Sequence, residues 1–398
     1  SLDDWDGDGV SNSQELHPLD PGIALHSEYS KSPCIERKVC NQMLSHLSAA
    51  PTDSLELYHE DYSVGDVNND GWADIVAVSR ISISIFYNNQ GEFSNVADWQ
   101  RGYSAGDHPR LALGDINSDG KLDLVISNSM KNNDIFLNQN GTFLGAPYWS
   151  AAGSYGTTSS VDIGDIDSDG DLDLVFGTRN AHPDIYLNHG NGLPTSPSIV
   201  VMPLSNNTSV DVYAVKLADL DADGDLDLIV GQNGKNQIWE FTGTDYQKSW
   251  ESSTTELTKS IAVGDIDLDG DLDIAFGNDD YTGEVLGKQN YIFLNMDGDF
   301  ENVPDWSSMD FARTKSIQFL DVNKDGWLDL VAANGVGPEQ IHLNLNGDFS
   351  TESDISIIDP LGSVGTDNGA LDAADMDGDG DIDLLIGYTH TINLYKNS

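Results

Sequence analysis

Between residues 62 and 398 the apolar positions fall in short runs separated by polar turns, and no stretch shows the three-to-four spacing of an amphipathic helix. One type of run, such as Leu122 to Ser127, is apolar at nearly every position, as expected for a strand buried on both faces. Around it the pattern predicts three more strands. A first strand ends in Leu111-Ala112-Leu113-Gly114. A third is of the Asp134-Ile135-Phe136-Leu137-Asn138 type and leads into an Asn-x-Asn-Gly turn at Asn138–Gly141, a hairpin signal. A fourth starts with an aromatic and ends near a Trp, as in Phe93 to Trp99, Phe143 to Trp149 and Phe300 to Trp306.

This four-strand pattern recurs with a polar signature between its first two strands. The signature reads GDVNNDGWADIV at 65–76, GDINSDGKLDLV at 114–125 and GDIDSDGDLDLV at 164–175. It continues as ADLDADGDLDLI at 218–229, GDIDLDGDLDIA at 264–275, LDVNKDGWLDLV at 320–331 and ADMDGDGDIDLL at 374–385. The first aspartates, Asp66, Asp115, Asp165, Asp219, Asp265, Asp321 and Asp375, are spaced by 49, 50, 54, 46, 56 and 54 residues. A period of this size suits one four-stranded propeller blade. The predicted fold class is therefore all-β, a seven-bladed β-propeller over 51–398 with a small extension over 1–50 that contains a short helix. The last repeat stops after its third strand, Ile392-Asn393-Leu394-Tyr395, which would leave an exposed edge. Leu55-Glu56-Leu57-Tyr58 is expected to supply the missing strand and close the last blade.

Composition adds a strong acidic bias: 67 Asp and Glu against 18 Lys and Arg, a net charge of −49. Such a surface argues against nucleic acid as a partner. At 38% hydrophobic, the chain can build a core, yet no apolar run is long enough to span a membrane. Ser1 is not an initiator Met and no signal peptide follows, so the chain is expected to begin at a processed or trimmed end.

The seven signatures hold 29 of the 67 acids. In D-x-D-x-D-G-x-x-D, positions 1, 3, 5 and 9 offer side-chain oxygens, position 7 offers a carbonyl, and Gly at position 6 permits the sharp turn. Calcium takes six to eight such hard oxygens at about 2.3–2.6 Å. The expected calcium ligands are Asp66, Asn68, Asp70, Trp72 and Asp74 in repeat 1, and Asp115, Asn117, Asp119, Lys121 and Asp123 in repeat 2. Repeats 3 and 4 offer Asp165, Asp167, Asp169, Asp171 and Asp173, then Asp219, Asp221, Asp223, Asp225 and Asp227. Repeats 5 to 7 offer Asp265, Asp267, Asp269, Asp271 and Asp273; Asp321, Asn323, Asp325, Trp327 and Asp329; and Asp375, Asp377, Asp379, Asp381 and Asp383. Trp72, Lys121, Trp327 and their counterparts at position 7 would serve through the carbonyl. Position 12 is apolar (Phe176 in repeat 3), so this is not a helix-flanked EF-hand. Repeats 1, 2 and 6 carry Asn at position 3, one charge fewer, and are expected to bind more weakly. Sites without a bidentate Glu suit millimolar, extracellular calcium.

The extension differs in character. Asp4, Asp6, Asp8, Val10 (carbonyl), Asn12 and Glu15 have the spacing of a complete twelve-residue calcium loop, an expected eighth site. Ile35 to Leu47 reads as a short amphipathic helix that packs on the propeller or contacts a partner. Cys34 and Cys40 are the only cysteines. A disulfide between them needs a bend, since a continuous helix holds positions six apart too far from each other, and the alternative is that each pairs elsewhere.

These residues resemble the FG-GAP/VCBS repeats of bacterial surface proteins and of integrin α-subunit propellers, over roughly residues 55–398. The segment DWDGDGVSNSQEL followed by Asp20-Pro21 resembles a thrombospondin type 3-like calcium repeat. The resemblance implies metal ligands at the Asp and Asn positions named above and nothing catalytic. The repeat occurs in adhesins, lectins, toxin parts and some polysaccharide lyases, so it specifies fold more than function.

If the acidic loops join first to second strands, the other turns lie on the opposite face. Arg80, Lys131, Arg179, Lys235 and Lys288 fall in turns between second and third strands, and Arg101, Arg110, Lys259, Arg313 and Lys315 near connections to the next repeat. That face is expected to be comparatively basic and to bind a glycan or protein ligand through Arg80, Lys131, Arg179, His182, Lys235 and Lys288. The first expectation is thus a secreted, bacterial cell-surface module for adhesion, ligand binding or surface assembly, without catalysis. Two alternatives stand beside it. Opposite faces of two copies stack head to tail into a filament, or a lyase acts on an acidic glycan with His182 and Arg179, or Tyr281 and Lys288, as base and cation.

Overall fold

The computed structural model describes residues 53–56, 59–151, 157–190, 192–201, 211–280, 287–357, 369–388 and 391–397. The N-terminal loop from Asp4 to Glu15, the 35–47 helix, Cys34, Cys40, Leu57, Tyr58, Tyr281 and His390 lie outside them. The described elements are all strands, and among the described residues no helix is long and apolar enough to cross a membrane.

The strands pair into seven four-stranded antiparallel units. In repeat 2 these are Asp107–Gly114, Asp123–Ser129, Asp134–Phe136 and Trp149–Ser150, in sequential order from the inside outward. The inner strands Asp61–Gly65, Asp107–Gly114, Thr157–Gly164, Val212–Ala218, Glu256–Gly264, Thr314–Leu320 and Ala370–Ala374 each lie against the next, and the last lies against the first. That closed ring is the β-propeller. Asp53–Glu56 supplies the fourth strand of the last unit, pairing with Thr391–Leu394, so the N-terminal end of the described chain removes the edge left by the truncated repeat.

Second strands such as Asp74–Val78 and Asp123–Ser129 are buried along their whole length, because neighbouring blades cover both faces. The cores lie between blades. Val76, Val78, Ile83 and Ile85 of repeat 1 meet Leu124, Ile126, Phe136 and Phe143 of repeat 2, and Tyr62, Ile75 and Phe86 meet Leu55, Met376, Leu385, Ile392 and Leu394 across the closure. Each fully covered side chain of this size contributes about 1.5–3 kcal/mol. Outer-strand tryptophans add indole bonds to the next unit: Trp149 Nε1 donates to the Pro194 carbonyl at 2.9 Å, and Trp306 Nε1 to Phe349 at 3.2 Å.

The fourth strands differ from expectation. Three of them begin at the tryptophan, Trp99–Gly102, Trp149–Ser150 and Trp306–Ser307, instead of ending there, whereas Tyr246–Glu251 starts at an aromatic and ends next to Trp250 as expected. Just before the fourth strand a carboxylate takes the backbone donor just past the third strand that a longer ladder would use. The Asp98, Asp305 and Asp354 carboxylates accept the N–H groups of Tyr87, Leu294 and Leu343 at 2.9–3.0 Å. Phe143 instead fills the core between repeats 1 and 2.

Two sets of polar side chains join the blades. Near the axis, Asp61, Asp162 and Asp372 accept the backbone N–H of Leu111, Leu217 and Val64 from the adjoining inner strand, at 2.8–2.9 Å. At the turn after the third strand, Asn138 Nδ2 donates to Val67 O of the preceding blade (2.8 Å) and to Leu122 O of its own (2.9 Å), while its Oδ1 accepts Gly141 N–H (2.8 Å). Asn188, Asn295, Asn344 and Asn397 make the same reach to Ile116, Leu220, Ile266 and Val322, and Asn88 reaches Met376 to close the ring. Gly141, at φ 86°, lets the turn settle against Asn68, whose Cβ would lie 3.1 Å from any side chain there. Repeat 4 has Phe241 at this place and lacks the clasp.

Two outcomes follow. Asn138→Ala leaves buried Val67 and Leu122 carbonyls without their donor and should cost roughly 2–4 kcal/mol in urea unfolding, against about 0.5 kcal/mol or less for exposed Gln139→Ala. Burial, opposed by Arg110 and the Leu111 N–H, pushes the Asp61 carboxyl up to about 6. A folded pKa above the unfolded one means that its contribution is fully present at low pH and lost as pH rises through about 6. Calcium-saturated Asp61→Asn should therefore gain stability relative to the parent as pH is raised from about 4 to about 7; a pH-independent difference would refute the assignment.

Candidate metal centres and the opposite face

Each acidic signature folds into a tight loop between the first and second strands. Position 4 is left-handed in every loop (Asn69, Ser118, Ser168, Ala222, Leu268, Lys324 and Gly378), as is the glycine at position 6, from Gly71 at φ 92° to Gly380 at φ 87°. The loops are knit from within. Asp66 takes the N–H groups of Asp70 and Gly71 at 3.0 and 2.7 Å, and Asp70 Oδ1 takes that of Trp72 at 3.0 Å. These turns point side-chain oxygens of positions 1, 3 and 5 toward one centre.

Position 9 begins the second strand and is buried. Its carboxylate joins loop to sheet: Asp173 Oδ2 accepts Ile166 N–H at 2.8 Å and Oδ1 accepts Asn188 N–H at 2.6 Å. Asp74, Asp273, Asp329 and Asp383 repeat both bonds, the second to Asn88, Asn295, Asn344 and Asn397. In repeat 4 Phe241 N–H replaces the asparagine's, and in repeat 2 Asp123 keeps the bond from Asn138. Burial pushes these carboxyls up, to about 6 for Asp74, Asp123, Asp273 and Asp383, about 7 for Asp173 and Asp227, and about 8 for Asp329. Hydrogen bonds from two amides do not offset that desolvation.

The loops separate into two kinds. In the four all-aspartate loops one ligand oxygen of each of three carboxylates converges within 4.8 Å: Asp165, Asp167 and Asp173; Asp219, Asp221 and Asp223; Asp265, Asp267 and Asp269; Asp375, Asp377 and Asp383. Each of these four loops also holds a buried carboxylate oxygen with no hydrogen-bond donor among the described residues, Asp167 Oδ1, Asp219 Oδ1, Asp265 Oδ1 and Asp377 Oδ1; of the asparagine-bearing loops, repeat 2 has one as well, Asp123 Oδ2. In repeat 1 the position-3 amide supplies its own donor, Asn68 Nδ2 to Asp70 Oδ2 at 3.0 Å, and Asn68, Asn117 and Asn323 each accept the N–H of the aspartate two residues on. An acidic cluster with desolvated, donorless oxygens fits a hard cation. Position 7 side chains turn to neighbours instead: Asp271 Oδ2 accepts Asp297 N–H, Asp381 pairs with Lys324, Lys121 with Asp119, and Trp72 lies over Gly378. Asp115, Asp119, Asp321, Asp325 and Asp379 hold the turn amides as Asp66 and Asp70 do, and Asp225 follows with its N–H on Asp223. His189, from the turn of repeat 3, reaches Asp169 at 3.0 Å, which raises its pKa.

On the other face the basic residues are spent locally. Arg80 pairs with Glu60 (2.9 Å) and Asp107 (3.5 Å), Lys235 with Glu251 (3.1 Å) and Lys288 with Glu256 (3.6 Å). Lys131 donates to Ser104 and to the Ala105 carbonyl. Burial alone raises the Glu60 carboxyl, but His108, Arg80 and Arg110 outweigh it and hold it low. Arg101 lies between blades, bonded to the Phe143 and Gly145 carbonyls, not on this face. His182 is half-buried, with its pKa lowered by burial, while Arg179 lies 5.0 Å from the Tyr213 ring. Arg80, Lys235 and Lys288 are thus each met by a carboxylate, Lys131 by a hydroxyl and a carbonyl, and Arg179 by an aromatic ring.

The asparagine clasps and the inner-strand aspartates escaped the sequence reading. The clasp has a visible signal, an Asn three residues before the turn glycine in Asn88–Gly91, Asn138–Gly141, Asn295–Gly298 and Asn344–Gly347. It reads as turn chemistry until the neighbouring blade is in view.

The family model for an FG-GAP-like repeat matches residues 66–126, 115–176, 165–230, 219–276 and 321–386. No curated protein matches the sequence. Among solved structures, two crystal structures of BBS1N in complex with ARL6DN, soaked with lead and with mercury, are similar at 12% identity. They cover 88% of this chain and 97% and 98% of theirs, with TM-scores of 0.57 and 0.59. At that identity the likeness shows the fold alone, whereas the repeat matches span most of the chain: the protein belongs to the FG-GAP-like repeat family.

Proposed function

We propose that the seven loops hold calcium and that the chain is a calcium-stapled, non-catalytic binding module that works outside the cell, on a bacterial surface. The donorless, desolvated carboxylate oxygen in each of the four all-aspartate loops is the observation that carries this reading. Positions 1, 3, 5 and 9 with the carbonyl of position 7 would hold the ion, which supplies charge neutralisation and joins loop, second strand and the neighbouring blade's asparagine into one unit. No residue in the loops is left for chemistry on a substrate. That FG-GAP-like propellers serve as interaction modules, and that BBS1N is seen in complex with ARL6DN, supports protein binding as a use of this fold. Loops without a position-12 Glu suit millimolar calcium, which supports an extracellular setting.

Calcium titration by calorimetry should resolve two classes of site, a tighter one from repeats 3, 4, 5 and 7 and a weaker one from repeats 1, 2 and 6. Chelation should lower the melting temperature, and Asp167→Asn should move the repeat 3 site toward the weaker class. A melting temperature indifferent to chelator would sink the metal assignment.

A further inference from the structure

Five of the seven inner strands share an irregularity. Their ladders with the second strand slip between Asp107 and Arg110, Thr158 and Ser160, Val212 and Ala214, Thr258 and Ser260, and Thr314 and Ser316. A bulge leaves its extra residue out of the ladder and re-aims its side chain. In repeats 4, 5 and 6 the extra residues are Tyr213, Lys259 and Lys315. Because the inner strands ring the axis, the bulges lie around one mouth of it, at the end opposite the acidic loops.

The side chains placed there are cationic, against the trend of a chain with 67 acids and 18 bases. Lys259 Nζ lies 3.5 Å from the centroid of the Tyr213 ring, and the Arg179 guanidinium carbon 5.0 Å from the same centroid. Arg313 and Lys315 share one buried carboxylate, Asp279, at 2.8 and 2.7 Å. Arg179 Nε is buried and has no hydrogen-bond partner among the described residues. Burial first, then Lys315, with Arg179 and Arg110 adding to it against the pull of Asp279, pushes the Lys259 ammonium down to about 7. Two cations gathered on one aromatic ring are each attracted to it but repel one another, and a bound anion relieves that repulsion.

We propose that this axial mouth binds an oxyanion, with Lys259 and Arg179 as its direct donors, Tyr213 as the platform that holds them, and Lys315 adding charge. The assignment rests on the reading of the chain as a binding module and gives that module a ligand chemistry. A carboxylate, a sulfate ester or a phosphate presents the same acceptor to these groups, and the anion that binds best identifies the source.

The calcium-loaded full chain is titrated by calorimetry with sodium acetate, sulfate and phosphate at constant ionic strength. Saturable binding of at least one anion is expected. Lys259→Met and Arg179→Gln should each weaken it about tenfold, the loss of one charge-assisted hydrogen bond, with the melting temperature unchanged. Lys248→Ala, on an outer strand, should leave it unaltered. Absence of saturable binding, or binding equal in both variants and parent, overturns the proposal. If a variant does not fold, competitive acetylation of the parent decides: the bound anion should slow labelling of Lys259, and unchanged labelling overturns the site. Anion binding that survives alongside a failed calcium titration would count against the calcium staples alone; a normal calcium titration without anion binding would count against this site alone.

Discussion

Everything in this ring turns on a buried carboxylate. The ninth-position aspartate of each repeat leaves water at the first residue of the second strand, and in every repeat but the second the chain meets it with two amide donors, one from its loop and one, in most repeats, from the clasping asparagine. Those donors satisfy the oxygens geometrically but not electrostatically, and burial still drives the group toward its neutral form. On the proposed reading, a cation in the loop would hold that charge. The asparagine then carries the same unit across to the preceding blade. Metal loop, strand start and blade seam are therefore one construction repeated round the ring.

The difference between Asp and Asn at position 3 has more meaning in three dimensions than as a charge count. Asn68 meets part of the loop's hydrogen-bonding demand with its own amide, whereas Asp167 and Asp377 present an oxygen that no donor among the described residues satisfies. The two kinds are unevenly distributed round the ring, with Asn68, Asn117 and Asn323 in repeats 1, 2 and 6 and aspartate in the other four. If the loops hold calcium as proposed, the dependence of stability on it would be spread unevenly over the blades.

The opposite face corrects a simple picture of charge. Several of the cations that line up in sequence on that side, Arg80, Lys235, Lys288, Arg313 and Lys315, are met by an acid that the inner strands and connections bring close, Glu60, Glu251, Glu256 and Asp279 among them. Net polarity between the faces is thus smaller than the loop positions suggest. What survives is local, a cluster at one end of the inner strands, where Tyr213, Lys259 and Lys315 sit at strand bulges and Arg179 and Lys259 meet the Tyr213 ring.

The sequence by itself determined the repeat, its period, the strand pattern, the loop residues and the need for an N-terminal strand to complete the last blade. All of these are local or periodic: a DxDxDG turn needs only its own nine residues, and a doubly buried strand announces itself by continuous apolar character. The position of the fourth strands, the asparagine clasps, the aspartates between inner strands and the axial cluster were decided by tertiary structure alone. Asn138 finds Val67, Asp61 finds Leu111, and Lys259 finds Tyr213 and Arg179 only after the ring closes, because the partners lie on different blades, about a repeat apart in the chain. No spacing rule within one repeat encodes which side chain of the next blade will lie opposite.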